Sequence, residues 1–113
     1  MRARLAEARA RTQWLVEGVT EADMERVHDP LMSPLVWDLA HIAAFEELWI
    51  CMRTGGMEPL DAELLHVYDA METPRAVRGE VSKLNLPGAR VYMSAVRSRA
   101  LVRISFLVER VSE

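Results

Sequence analysis

Apolar residues recur every three or four positions in three long segments of the chain, residues 2–18, 34–53 and 88–113. This spacing predicts three long helices, because side chains three or four positions apart share one face of a helix. No segment alternates between apolar and polar residues for long enough to predict a strand. The pattern therefore indicates an all-α protein, an up-and-down helical bundle that forms a single domain over residues 1–113.

Shorter segments connect the three long helices. Thr20 suits the start of one short turn, and residues 61–71 repeat apolar side chains over about three helical turns. Residues 72–87 show no periodicity and exceed the ~12–15 residues beyond which unstructured loops become uncommon. A closed bundle has four long helices, so the fourth helix is short or missing here. We therefore predict an uncovered apolar groove, and a chain that self-associates, swaps its last helix or folds poorly.

The second long helix is apolar on nearly every side, which predicts that it is the central helix of the bundle. Ser33 and Pro34 suit its start, since serine caps free backbone N–H groups and proline needs no N–H partner in the first turn. Glu46 falls on the flank of the apolar stripe, whereas Glu47 lies among small residues and is expected to face solvent. Six large side chains of this helix are predicted to be in its buried contacts: Trp37, Leu39, Ile42, Phe45, Leu48 and Trp49.

Two polar residues of this helix are candidates for chemistry. His41 lies among apolar neighbours, and Asp38 stands three positions before it, close enough to share its face. A buried imidazole needs a partner, so His41 either bonds to Asp38 or a neighbouring backbone group, or points into the bundle as a metal ligand. A transition metal needs at least two further ligands, and the other two histidines show no ligand spacing with His41.

Two arginines stand three positions apart in the long connection, directly after Pro74. Arginine suits a two-pronged grip on a carboxylate or phosphate, so Arg75 and Arg78 are candidates for anion binding, exposed on an irregular loop. The alternative is structural, with both side chains solvated or covering the last carbonyl groups of the preceding helix. The spacing leaves both interpretations open.

Composition narrows the class of protein. The 113 residues are half hydrophobic and carry a net charge of −3, and the arginines of the first segment are interpreted as solvated. A nucleic-acid-binding surface needs clustered positive charge, so nucleic acid is not an expected partner. The N-terminal residues contain no long apolar run, which argues against a signal peptide or a membrane span. The single cysteine, Cys51, indicates a reducing, cytoplasmic location.

Three motifs that occur in order resemble one enzyme family. They are DPLMSPLVWDLAHIAAFEELW at residues 29–49, YDAMETPRAVR at residues 68–78, and a tyrosine followed by Val-Arg between Tyr92 and Arg97. Together they are similar to the N-terminal domain of the ergothioneine-biosynthesis sulfoxide synthases, over about residues 5–101.

The resemblance implies a DinB-like helical bundle, which that family joins to a larger domain of the sulfatase-modifying-factor type. It implies a non-haem iron(II) enzyme that uses O₂ to join a thiol, γ-glutamylcysteine or cysteine, to the imidazole of hercynine as a sulfoxide. The family's WDLAH histidine, one of three iron ligands, corresponds to His41, and Asp38 is a candidate partner that orients it. The arginines that bind the carboxylates of the thiol correspond to Arg75 and Arg78. The resemblance assigns no catalytic residue to this chain.

Two features depart from the family pattern. The other two iron ligands belong to an H-x-x-x-H motif that this sequence lacks, and the second domain is expected to be absent. One imidazole cannot hold iron(II) selectively, so we expect that the chain alone neither binds iron tightly nor makes a sulfoxide. Three hypotheses remain: the N-terminal portion of an enzyme, inactive alone; a stand-alone helical interaction module, for instance a homodimer; or a metal-binding protein whose site is completed across an oligomer.

Overall fold

The regular structure of this protein is helical throughout the described residues. A computed structural model describes residues 2–29, 32–81 and 83–112, with the side chains of the last helix described as far as residue 107. The elements in chain order are α1 (Arg2–Val16), α2 (Glu21–Glu25), α3 (Leu35–Glu46), a π-helical segment (Glu47–Thr54) that continues α3, α4 (Ala62–Val67), a 3₁₀ turn (Arg75–Val77), α5 (Arg78–Val81) and α6 (Leu86–Ser112). The all-α prediction is confirmed. Every helix within the described ranges is too short or too polar to cross a membrane.

The core lies between α3 and α6, the two helices with the most extensive mutual contact. On α6 the apolar repeat of the sequence predicts an inner face along Tyr92, Val96, Ala100, Ile104, Leu107 and Val111, and the first four of these residues are buried. Leu107 is half-buried, and the side chain of Val111 lies outside the described residues. The side chains of α3 that are buried in the core are Val36, Trp37, Leu39, Ala40, Ala43 and Ala44.

The prediction that α3 buries its largest side chains is wrong for three of them. Trp37 and Leu39 are buried, but the exposed fraction is 39% for Ile42, 57% for Phe45 and 46% for Trp49. The described part of the chain therefore covers this side of α3 only partly. We call Ile42, Phe45 and Trp49 the uncovered strip; it is an apolar surface of the kind that a missing bundle helix would leave.

The face of α3 that carries small residues is buried instead. Ala40, Ala44 and Cys51 are at most 2% exposed, and Glu47, on the same side, is 0% exposed. The solvent-facing position predicted for Glu47 is therefore wrong. Small side chains let two helix axes approach closely, so this face packs in the core, where a hydrophobicity pattern alone would not place it.

Polar contacts hold α1 against the other helices. None of its residues is buried, and Leu15, one of the apolar residues at helical spacing in this segment, is 72% exposed. Nη1 of Arg97 donates to the carbonyl of Leu5 at 3.0 Å, and Nη2 of Arg9 lies 3.8 Å from Oε1 of Glu46. The solvated position predicted for Arg9 is wrong, since its side chain is only 12% exposed. Burial, and secondarily the charge of Arg97, lowers the pKa of Arg9.

The connections differ from their predicted form at three points. α4 is only six residues long, although Asp61 caps its first turn as a helix start requires. Part of the connection at residues 72–87 is helical, because the 3₁₀ turn runs directly into α5. α6 begins at Leu86, where Oδ1 of Asn85 accepts a hydrogen bond from the Gly88 N–H at 2.8 Å.

Candidate functional site

A row of side chains spaced by four positions runs along α3 and its π-helical continuation. The ring centroids of Trp37 and His41 are 5.1 Å apart with an interplanar angle of 13°, so these two rings are stacked. Phe45 lies 6.2 Å from His41, and Trp49 lies 6.2 Å from Phe45, both tilted. Cζ of Arg53 lies 4.9 Å from the Trp49 centroid and ends the row. We call Trp37, His41, Phe45 and Trp49 the ring row. Its four-residue spacing is visible in the sequence and could have revealed it.

The half-buried imidazole of His41 has one fixed hydrogen bond. Its Nδ1 lies 2.8 Å from the carbonyl oxygen of Tyr68. A carbonyl only accepts hydrogen bonds, so Nδ1 carries the proton and donates it. In the neutral ring this leaves Nε2 as the nitrogen with a free lone pair. The structural alternative for His41, a bond to neighbouring backbone, is confirmed, and it is compatible with a ligand role for Nε2.

His41 borders a small, mostly apolar recess. The recess encloses about 230 Å³, part of it open to solvent, and is lined by His41, Ala44, Phe45, Leu48, Leu65, Tyr68 and Asp69. Within the described residues, no three side chains of histidine, cysteine, aspartate or glutamate are placed to hold a metal ion. Transition-metal sites take three or more protein ligands. The described residues therefore do not by themselves fit a complete iron centre.

The exposed position predicted for Arg78 is wrong, because only 7% of this residue is exposed. Its Nε donates to the carbonyl of Thr73 at 2.9 Å, and its Nη2 donates to the carbonyl of Ala70 at 3.3 Å. Nη1 donates to Oγ of Ser33 at 2.9 Å, so Ser33 serves this contact instead of the capping role predicted for it. No described side chain caps the start of α3. Arg78 thus covers backbone carbonyls, as the structural alternative predicted, but they belong to the irregular residues after α4 and not to the last turn of that helix.

The guanidinium of Arg78 also covers the free face of Trp37. Its Cζ lies 3.9 Å from the centre of the indole, whose other face stacks on His41. Nε1 of Trp37 donates to the carbonyl of Val67 at 3.1 Å. A cation on an indole face stabilises by ~0.5–1 kcal/mol when exposed and by about 2 kcal/mol when desolvated, as here. Trp37 was predicted only as a core residue, and its place between Arg78 and His41 was missed.

A second, open cleft lies beside this stack. It is lined by Met32, Ser33, Asp38, Arg75 and Arg78. Arg75 is exposed, as predicted. Burial raises the pKa of Asp38, against the opposing effect of Arg78, His41 and Arg75. The hydrogen bond that orients the imidazole of His41 comes from the backbone carbonyl of Tyr68.

Comparisons with known proteins agree with the resemblance in the sequence. The sequence profile of the DinB superfamily matches residues 4–109. Hercynine oxygenase from Mycobacterium tuberculosis is 48% identical over an alignment of 110 residues that covers 93% of this chain and 25% of that protein. The enzyme of the same name from Mycolicibacterium smegmatis is 45% identical over 108 residues, with the same two shares. That from Mycolicibacterium thermoresistibile is 44% identical over 110 residues, 93% of this chain and 24% of the enzyme.

The extent of these matches decides what they show. The match lies in the N-terminal region of the relatives, and the chain spans about a quarter of the length of the curated relatives it matches. The superfamily profile, in contrast, covers nearly the whole chain. By its sequence and its all-helical fold, this chain belongs to the DinB superfamily.

Proposed function

We propose that this chain is the helical-bundle portion of a non-haem iron(II), O₂-dependent sulfoxide synthase of ergothioneine biosynthesis, which joins a thiol to hercynine. Relatives named hercynine oxygenase share 44–48% identity with 93% of the chain. The observation that carries the proposal is the geometry of His41, whose Nδ1–H is engaged by the Tyr68 carbonyl and whose Nε2 remains available.

In this proposal His41 is one of several iron ligands. Residues 1–113 form a partial DinB-like domain, and protein outside these residues supplies the remaining ligands and the sulfatase-modifying-factor-type domain. One imidazole is too few donors for iron, which is why the chain alone is proposed to be inactive and not to retain the metal. A cytoplasmic location is proposed as well, since Cys51 is a free thiol.

The cleft beside the stack is proposed to bind a carboxylate of the thiol substrate. Arg75 and Arg78 contribute two positive charges and Asp38 one negative charge, so the cleft favours a ligand with a single negative group. Arg75 is exposed and free to approach a ligand, whereas three donors of Arg78 are already engaged. We therefore assign direct contact chiefly to Arg75, with Arg78 behind it.

A chimera tests the proposed function. Residues 1–113 replace the matching N-terminal region of Mycolicibacterium smegmatis hercynine oxygenase, and sulfoxide formation from hercynine and a thiol is followed by mass spectrometry with Fe(II) and O₂. The isolated chain should give no sulfoxide and the chimera should give it. His41→Ala should abolish the product, and His66→Ala, which changes an exposed histidine, should not. A folded chimera that forms no sulfoxide would count against the proposal.

The same chimera tests the anion cleft. Arg75→Ala should raise the KM for γ-glutamylcysteine by about tenfold or more, because a hydrogen bond to a charged group contributes ~1.5–3 kcal/mol. Arg26→Ala is the matched control, since the side chain of Arg26 is 66% exposed and lies outside the cleft. An unchanged KM in Arg75→Ala would remove Arg75 from substrate binding.

A second candidate function is a helical interaction module without catalysis. The uncovered strip favours it, because Phe45 and Trp49 are about half exposed in the described structure. Anaerobic iron titration of the isolated chain adds a further distinction. Stoichiometric micromolar binding that His41→Ala abolishes would indicate a metal site shared between copies.

A further inference from the structure

We propose that Arg78 is a positioning residue that acts on His41 through Trp37. By holding the indole in place, it keeps the imidazole proton on Nδ1 and the lone pair on Nε2. The geometry stands on its own, while its relevance to metal binding rests on the function proposed above.

The backbone at the end of α4 and after it supplies hydrogen-bond acceptors to side chains of other elements. The last carbonyls of a helix have no partner within the helix, and the irregular residues after α4 add further free carbonyls. Four of these accept hydrogen bonds from side chains elsewhere in the fold, and we call them the carbonyl rim: Val67, Tyr68, Ala70 and Thr73. The donors are Trp37, His41 and Arg78, so three side chains in contact with one another are aligned by one short stretch of backbone.

The rim is itself anchored. The Tyr68 side chain is 0% exposed, and its hydroxyl accepts hydrogen bonds from the backbone N–H groups of Lys83 and Leu84 at 3.1 and 2.9 Å. A shift of the backbone that presents the Tyr68 carbonyl to His41 would therefore disturb these two hydrogen bonds as well.

The stack consists of the guanidinium of Arg78, the indole of Trp37 and the imidazole of His41. The indole of Trp37 is fixed at three places: by the guanidinium on one face, by the imidazole on the other, and by its Nε1–H bond to the rim. Arg78 is in turn fixed by three hydrogen bonds, one of them to Ser33 at the start of α3. Without the planar guanidinium, one face of the indole is no longer covered, so the indole is held less firmly and so is the imidazole that stacks on its other face.

Arg75 and Arg78 differ in exposure and in hydrogen bonding. Arg75 is exposed in the cleft and has no part in the stack, whereas Arg78 spends three donors on protein groups. Changes at Arg75 should therefore alter ligand binding, and changes at Arg78 should alter the His41 ring even when no ligand is present.

The experiment is two-bond ¹H–¹⁵N NMR of the histidine rings in the full 113-residue chain, without metal, at about pH 8, where an ordinary imidazole is neutral. The wild-type chain should show His41 with its proton on Nδ1. Arg78→Met keeps the apolar stem and removes the donors, and should give a mixture of the two tautomers and a smaller ring-current shift from Trp37. Arg78→Lys keeps the charge without the planar fork and should resemble Arg78→Met.

Arg75→Met is the matched control, with the same substitution three positions away, and should match the wild type. A wild-type His41 protonated on Nε2, or a folded Arg78→Met chain with an unchanged His41 pattern, would overturn the proposal. A wild-type pattern in Arg78→Lys would do so too, because charge alone would then suffice.

Ser33→Ala keeps the proposal testable if Arg78→Met does not fold. It removes only the hydroxyl that accepts from Nη1 of Arg78 and should give a smaller change in the same direction. No change in the His41 pattern would again overturn the proposal. The measurement needs neither iron nor hercynine, so its failure is distinguishable from failure of the chimera assay.

Discussion

Replacing Glu47 by alanine should remove a large part of the stability of this chain. Glu47 is 0% exposed, and its Oε2 lies 2.8 Å from Nη1 of Arg99 and 3.1 Å from the backbone nitrogen of Leu60. The same arginine donates through Nη2 to the carbonyl of Glu58 at 2.6 Å. The carboxylate therefore ties the π-helical segment, α6 and the loop before α4 together at one point.

The magnitude follows from what the substitution leaves behind. Removing one partner of a buried ion pair costs ~3–5 kcal/mol, because the remaining charge is buried without compensation. The side chain of Arg99 is 25% exposed and keeps its bond to Glu58, which places the cost near the lower end. The backbone N–H of Leu60 also loses its acceptor, at about 1 kcal/mol or more.

One feature of the cluster offsets part of this loss. Oε1 of Glu47 and the hydroxyl of Tyr92 are buried and have no hydrogen-bond partner among the described residues. Burial, followed by the nearby carboxylate of Glu47, raises the pKa of Tyr92. Because Oε1 of Glu47 gains no hydrogen bond within the described part of the chain in exchange for its lost water, burial of the carboxylate is only partly compensated. We therefore expect a net loss of about 3 kcal/mol, against a total stability of ~6–17 kcal/mol for a chain of this length.

Thermal denaturation followed by circular dichroism measures the effect. A loss of about 3 kcal/mol should lower the Tm by roughly 12 °C or more in a domain of this size. Glu7→Ala is the matched control, since Glu7 pairs with Arg11 at 2.7 Å but the two side chains are 60% and 77% exposed. Such a surface pair contributes ~0.5 kcal/mol or less. If Glu47→Ala and Glu7→Ala fall within about 1 kcal/mol of each other, the burial argument is refuted.

Three further predictions concern titration, reactivity and assembly. Burial raises the pKa of Asp38 in the folded chain above the ordinary value of 3.8, so the free energy of unfolding falls as the pH rises from 3.8 through the folded pKa. Asp38→Asn should therefore raise the Tm at pH 7 but not at pH 3. Burial also raises the pKa of Cys51, so iodoacetamide should alkylate the native chain slowly and the urea-unfolded chain rapidly, and equal rates would contradict this. The wild-type chain should self-associate at micromolar concentration in sedimentation equilibrium, and the double variant Phe45→Ser with Trp49→Ser should be monomeric; a monomeric wild type would contradict the role of the uncovered strip.

The periodicity of the sequence predicted α6 well. Its inner line of Tyr92, Val96, Ala100 and Ile104 follows the 3.6-residue repeat, and one long apolar face is buried against one partner. The same rule failed for α3, which is apolar on nearly every side. Hydrophobicity then favours no particular face, and the size of the side chains decides which face is buried. The alanine face packs against α6, and the aromatic face remains open.

The candidate site was predictable in residue type but not in role. The motif around His41 indicated an oriented imidazole. Its partner, however, is the backbone carbonyl of Tyr68, and because every residue type has such a carbonyl, the sequence does not reveal this contact. Arg78 was predicted to bind an anion because arginine has several N–H donors in one plane. The same donors allow it to stabilise the fold through backbone carbonyls. Which acceptors those donors find depends on the irregular backbone after α4, which no periodicity describes.

The polar groups of α3 and its continuation lie on two different sides of the helix. On the small-residue face, Glu47 joins the helix to α6 through Arg99, and on the ring-row face, His41 is aligned by the carbonyl rim. Residues four apart are neighbours on any α-helix, so the rings of Trp37, His41 and Phe45 meet within α3 itself. The π-helical segment that begins at Glu47 carries the next ring, Trp49, whose centroid lies 6.2 Å from that of Phe45. One irregular segment thus contributes to both sides of the helix: its first residue is the buried carboxylate that anchors the core, and Trp49 extends the aromatic row that begins at Trp37.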